Sequence, residues 1–251
     1  MDDVYIAATR TLSYLSRLPV HELEPRKAFS YQNVLLQIST PNGMERDVLT
    51  WTLVQATAYF ATQSNQNLTS ASFIPYTGDQ EFGVLAFLPM SANKSSSSSD
   101  ILKLTGAPVQ TSLPTSGAPT TTTGNILPLD QSILPRPQFF WLMSSIYGEL
   151  AKQAKNGTFG GMTYQPPDNP LTASVKLNDQ RSSQAPPLTV LDVINALDDV
   201  TARCLPPRDC HPLSCTIFAT QGRSAYELAY VDIISASSVG GRSLERKVFV
   251  R

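Results

Sequence analysis

Residues 34–61 read VLLQISTPNGMERDVLTWTLVQATAYFA, and residues 173–200 read ASVKLNDQRSSQAPPLTVLDVINALDDV. Laid over each other without a gap at an offset of 139, they share little identity but one pattern. Val34, Leu36 and Ile38 alternate as a half-buried strand does, and Ala173, Val175 and Leu177 stand at the same places. Each strand is followed at equal distance by a Leu-Thr pair, Leu49-Thr50 and Leu188-Thr189, whose threonine suits a helix N-cap. Asp192, three residues after Thr189, adds the second half of a capping box. The helices then offer Trp51, Val54, Ala58 and Ala61 in one copy and Val190, Val193, Leu197 and Val200 in the other. Both sets mark one face of a 3.6-residue helix.

The correspondence extends outward. Ile74 onward leads through Thr77-Gly78-Asp79 into Leu85–Leu88, and Ile217 onward through Thr220-Gln221-Gly222 into Leu228–Val231. Their offset is 143, which places four extra residues between helix and hairpin in the second copy. Upstream, Tyr5, Ala8, Leu12 and Leu15 match Phe140, Met143, Tyr147 and Leu150 at an offset of 135. The expected fold is therefore α+β, a helix-strand-helix-strand-strand module occurring twice. Two such modules pairing about a pseudo-twofold axis could share one mixed sheet of about six strands, with the helices packed on it. The modules are expected at residues 1–92 and 138–251. Residues 93–137 hold Ser95–Ser99, Thr120–Thr123 and several prolines, and read as a flexible linker, with Ile101–Leu104 able to dock locally. Lys247–Arg251 reads as a short added edge strand.

Composition narrows the function classes. At 41% hydrophobic the chain can bury a core, and a net charge of −1 supplies no field to attract nucleic acid. No apolar run reaches the roughly 20 residues a membrane-spanning helix needs, so no integral membrane association is expected. Low charge with abundant Ser, Thr and Pro leans toward an extracellular chain. Met1-Asp2-Asp3-Val4-Tyr5 shows no leader pattern, so either a leader was removed or the protein is cytoplasmic.

Candidate chemistry is sparse. Cys204, Cys210 and Cys215 cluster with Asp209 and His211, at spacings that match no usual zinc pattern. One disulfide with a spare thiol, three free thiols, a metal site and a nucleophile all stay open. Asn67, Asn93 and Asn156 head possible glycosylation sequons, close to the number chance supplies in so Ser- and Thr-rich a chain. His21 and His211 read as loop residues, and no nucleophile elbow, zincin or phosphate-loop motif occurs. Asn156–Gly161 leaves a helix C-terminus and reads as a stop signal rather than a phosphate cradle. Asp198-Asp199 and Asp2-Asp3 read as solvated helix faces, and no catalytic, metal or cofactor-binding residue is assigned.

From Leu49-Thr50-Trp51 through the hairpin to Phe87, the chain resembles uncharacterised proteins of filamentous fungi. Those combine a Leu/Ile-Thr-Trp helix start with a two-stranded unit and Ser/Thr-rich stretches, and the likeness recurs faintly at Leu188-Thr189-Val190. The resemblance implies secretion and carries no site residues. A binding or interaction protein for a protein or small-ligand partner is the first expectation. An enzyme with its site in the groove between the copies is the second, requiring His21 or His211 beside a carboxylate in a deep pocket. An intracellular scaffold using the linker is the third.

Overall fold

A computed structural model describes residues 2–19, 23–24, 28–40, 44–62, 70–77, 80–90, 101–104 and 119–235. The first half contains α1 (Asp2–Arg17), β1 (Leu23–Glu24), β2 (Ala28–Tyr31), β3 (Val34–Ser39), β4 (Met44–Glu45) and α2 (Arg46–Thr62). It continues with β5 (Ala71–Phe73), β6 (Tyr76–Thr77), β7 (Gln80–Glu81), β8 (Val84–Pro89) and β9 (Ile101–Lys103). The second half contains β10 (Thr120–Thr123), β11 (Leu127–Pro128), α3 (Arg136–Ala151), β12 (Met162–Tyr164) and β13 (Leu171–Leu177). It closes with α4 (Val190–Arg203), β14 (Leu213–Gln221) and β15 (Ser224–Ser235).

The fold is α+β, but its sheets are separate. The two larger ones run β5-β8-β3-β2-β9 and β10-β14-β15-β13-β12, with β11 also on β14, and β1-β4 and β6-β7 are two-stranded. The expectation of one shared sheet is corrected: the helices lie between the sheets, and the two halves meet helix to helix. Continuous burial along α1, from Tyr5 through Leu12, shows why, since a helix covered on every side cannot lie on the outside of a sheet.

The strand orders β5-β8-β3-β2 and β14-β15-β13-β12 follow one another in the two larger sheets. Leu36 opposite Phe29 and Phe87 corresponds to Val175 opposite Met162 and Val231. At the crossing of α1 and α3, Thr9 Oγ1 meets Ser144 Oγ at 2.9 Å across a separation of 135 residues, the offset of those two helices.

The burial of α2 and α4 coincides at an offset of 144 rather than 139. Leu49, Leu53, Ala56 and Phe60 are buried as Val193, Leu197, Val200 and Cys204 are, and this stripe replaces the one expected through Trp51 and Ala58. Thr57 and Thr201 both donate to the carbonyl four residues back, Leu53 and Leu197. Thr189 caps α4 in a capping box with Asp192, as expected. Thr50 caps nothing, because α2 begins at Arg46, and its buried hydroxyl has no hydrogen-bond partner.

The second hairpin turns at Gly222, whose φ of 62° suits glycine. In the first, Ile74 is exposed and outside a strand, and β5 ends at Phe73. Within the stretch read as linker, β9 joins β2, and Thr120–Thr123 pairs with Ile217–Thr220. Residues 237–251, including the expected tail strand, lie outside the described residues, as do His21, Asn67 and Asn93.

A candidate binding cleft between the halves

α2 carries apolar groups on more than one side. Leu49, Leu53, Ala56 and Phe60 form a buried stripe, while Thr50 and Val54 turn toward α3. Gly148 permits the approach of the two helices: a Cβ there would stand 2.9 Å from Val54 Cγ2. Above this contact a cleft of about 360 Å³ opens between α2, α3 and β12. Its lining includes Trp51 and Gln55 from α2, Gly148 and Ala151 from α3, and Tyr164 from β12. Trp51 is 55% exposed, an unusual placement for so large an apolar side chain.

The rim is ionic. Lys152 Nζ lies 2.8 Å from Glu149 Oε1, and Asp47 lies 3.5 Å from the buried Arg46 guanidinium. Burial first, and the Glu149 charge second, push the Tyr164 phenol above its ordinary pKa, against Lys152 and a hydrogen bond with Ser145.

The groove at matching helix offsets, between α1 and α4, is filled. The helix offsets set Ser13 in place of Gly148, Asp198 in place of Val54, Arg17 in place of Lys152 and Asn195 in place of Trp51. Asp198 Oδ1 accepts from Ser13 Oγ and from Tyr147 OH, both at 2.6 Å. Arg17 Nη2 donates to Asp198 Oδ2 at 2.5 Å and to Asn195 Oδ1 at 2.9 Å. The reading of Asp198 as a solvated helix face is corrected: it is 2% exposed, because three donors satisfy the carboxylate. Asp2 is not free in solvent either, lying 3.0 Å from Arg136. Burial and the neighbouring Asp198 charge hold the Tyr147 phenol well above its ordinary pKa.

The fold gathers one Ser-His-Asp trio, Asp130, Ser132 and His211, but in no catalytic order. The Ser132 hydroxyl donates to Asp130, and His211 Nδ1 meets the Ser132 backbone carbonyl at 2.8 Å. No base stands on the hydroxyl, so the arrangement is a local turn. It lowers the Asp130 pKa through those Ser132 hydrogen bonds. The cleft has neither His211 nor any other histidine in its lining.

Cys204 is bonded to Cys210, across the end of α4, and Cys215 is a buried free thiol pushed up to about 12 by burial and then by Asp232 and Asp199. Intact mass before and after reduction should show one disulfide. Cys215 should resist alkylation at mildly alkaline pH until the protein is denatured, because the thiolate is the reactive form. Three thiols alkylated in the folded, unreduced protein would contradict this assignment. Among the described residues no cluster of His, Cys, Asp and Glu could hold a metal, and no helix is long and apolar enough to cross a membrane.

Asn156 is exposed. The glycine-rich stretch after it closes α3, with Gly157 N–H on the Ala154 carbonyl. The Lys155 and Gly157 carbonyls then accept from Leu191 and Val190 at the start of α4. That helix N-terminus is occupied by protein, which leaves no phosphate cradle there.

Sequence reasoning missed the cleft because it placed Trp51 in the core and gave Gly148 no role. A lone glycine inside a helical pattern was the available signal. Compared with known proteins, the chain matches no family model, no curated protein and no solved structure.

Proposed function

We propose that this is an internally duplicated, non-enzymatic binding protein whose working site is the cleft between α2 and α3. The supporting observation is the asymmetry between two equivalent grooves. One is packed shut by Arg17, Asp198 and Asn195, while the other is left open beside an exposed tryptophan. Apolar clefts with a few polar groups at the rim are the common form of ligand sites. An extracellular location belongs to the same proposal, and the Cys204–Cys210 bond supports it, since disulfides persist in oxidising compartments.

Trp51 makes the site observable. Anilinonaphthalene sulfonate should bind saturably, enhance its own emission and quench Trp51. Trp51→Ala should weaken binding by about tenfold or more, the equivalent of about 1.4 kcal/mol. A Trp141→Phe variant, altering the other tryptophan, should bind like the parent. Dye binding that is equal in the parent and Trp51→Ala would sink the proposal.

A further inference from the structure

β2 and β12 hold the same place in the two sheets. Their pairing with β3 and β13 brings Phe29, Ser30 and Tyr31 into register with Met162, Thr163 and Tyr164. On the outer edge of β2 lies β9, parallel, with Phe29 opposite Leu102 and Ser30 opposite Lys103. The Leu104 N–H donates to the Ser30 carbonyl at 2.7 Å, and Leu102 and Leu104 pack against the core. β12 is the end of its sheet, and among the described residues no strand lies on its outer edge.

Burial differs accordingly. Phe29, Ser30 and Tyr31 are 0%, 6% and 6% exposed. Their counterparts Met162 and Tyr164 are half-buried and Thr163 is exposed. An uncovered sheet edge presents N–H and C=O groups that template a further strand. The N–H and C=O of one strand residue point the same way, and those of Ser30 point outward to β9. Thr163, in its place, therefore presents both groups outward, where no strand of the described residues takes them.

We infer that the outer edge of β12 and the cleft it borders bind an extended peptide by parallel strand addition, as β9 adds to β2. This rests on the cleft reading and names its ligand. The peptide alternates apolar residues, as Ile101-Leu102-Lys103-Leu104 does, and seats one large apolar side chain between Trp51 and Tyr164. The residue beside the anchor points to the other face of the added strand, as the exposed Lys103 does between Leu102 and Leu104.

The test is a capped peptide Asp-Ile-Leu-Lys-Leu-Thr, the sequence of residues 100–105, titrated into the full-length protein. Saturable binding should perturb Trp51 emission and slow hydrogen exchange at the Thr163 N–H. Thr163→Pro removes that outward donor at an edge position where proline is tolerated. It should weaken binding about tenfold or more with thermal unfolding unchanged. A peptide N-methylated at its second leucine lacks the donor equivalent to the Leu104 N–H and should lose affinity similarly against the unaltered protein. Equal binding of the parent and N-methylated peptides, or no binding to the parent protein, overturns strand addition. Should the peptide fail while the dye still reports on Trp51, the cleft reading stands and only the peptide assignment falls.

Discussion

Asp198→Ala is expected to lower stability by about 3–5 kcal/mol, the range for removing one partner of a buried ion pair. The carboxylate joins three helices: Ser13 and Arg17 come from α1, Tyr147 from α3, and Asp198 itself from α4. The Arg17 and Asp198 side chains are 4% and 3% exposed, so deletion strands a guanidinium where water cannot reach it. It also leaves the Ser13 and Tyr147 hydroxyls without their acceptor. Urea denaturation measures the effect, with Asp199→Ala, the half-buried neighbour, as a control expected within about 0.5 kcal/mol of the parent. The double variant Arg17→Leu, Asp198→Leu should recover much of the loss, because replacing both charges removes the desolvation cost along with the attraction. A single-variant loss below about 1 kcal/mol would mean that the pair is solvated and that the filled groove is not the lock described above.

Much of the architecture was legible because burial follows period. α1 and α4 each gather their apolar side chains on one stripe, and Thr189 with Asp192 marks its helix start with its own hydrogen bonds. α2 was misread because it is apolar on several sides, and a period cannot choose among faces that are all apolar. The four threonines of β10 were read as low complexity. Threonine is β-branched and fits an edge strand, so the run pairs where its composition alone suggested disorder. That the sheets are separate could not be read from either pattern. A stripe states that a face is buried and not what buries it. Asp198 was misread for a related reason, since its donors are as many as 185 residues away in sequence. The cleft itself left one trace, Gly148, whose meaning depends on a helix nearly a hundred residues earlier.

Arg46 is the second place where the halves are tied, and its loss should cost about as much as that of Asp198. Its side chain is fully buried at the start of α2. Nη1 donates to the Leu18 carbonyl at 2.6 Å and to the Pro19 carbonyl, and Nη2 to the Ala151 carbonyl at 3.1 Å. These carbonyls follow the last turn of α1 and end α3, where helices leave acceptors unpaired and negative. Arg46→Met keeps the aliphatic volume and removes every donor. With about 1–3 kcal/mol for each stranded acceptor and partial rescue by water, a loss of about 3–5 kcal/mol in urea denaturation is expected. Lys155 supplies a second readout. Its ammonium donates to the Leu150, Ala151 and Gln153 carbonyls, and burial first, then Arg46, lower its pKa from 10.5 to about 8. Between those values the unfolded chain holds the proton and the folded chain has released it, so stability should rise with pH across that window. Arg46→Met removes the smaller cause and leaves burial. The Lys155 pKa should then climb part of the way back, and the rise in stability should begin at higher pH. An unchanged onset in a variant that has lost stability would separate the two cations, leaving Arg46 as a hydrogen-bonding tie with no electrostatic hold on Lys155.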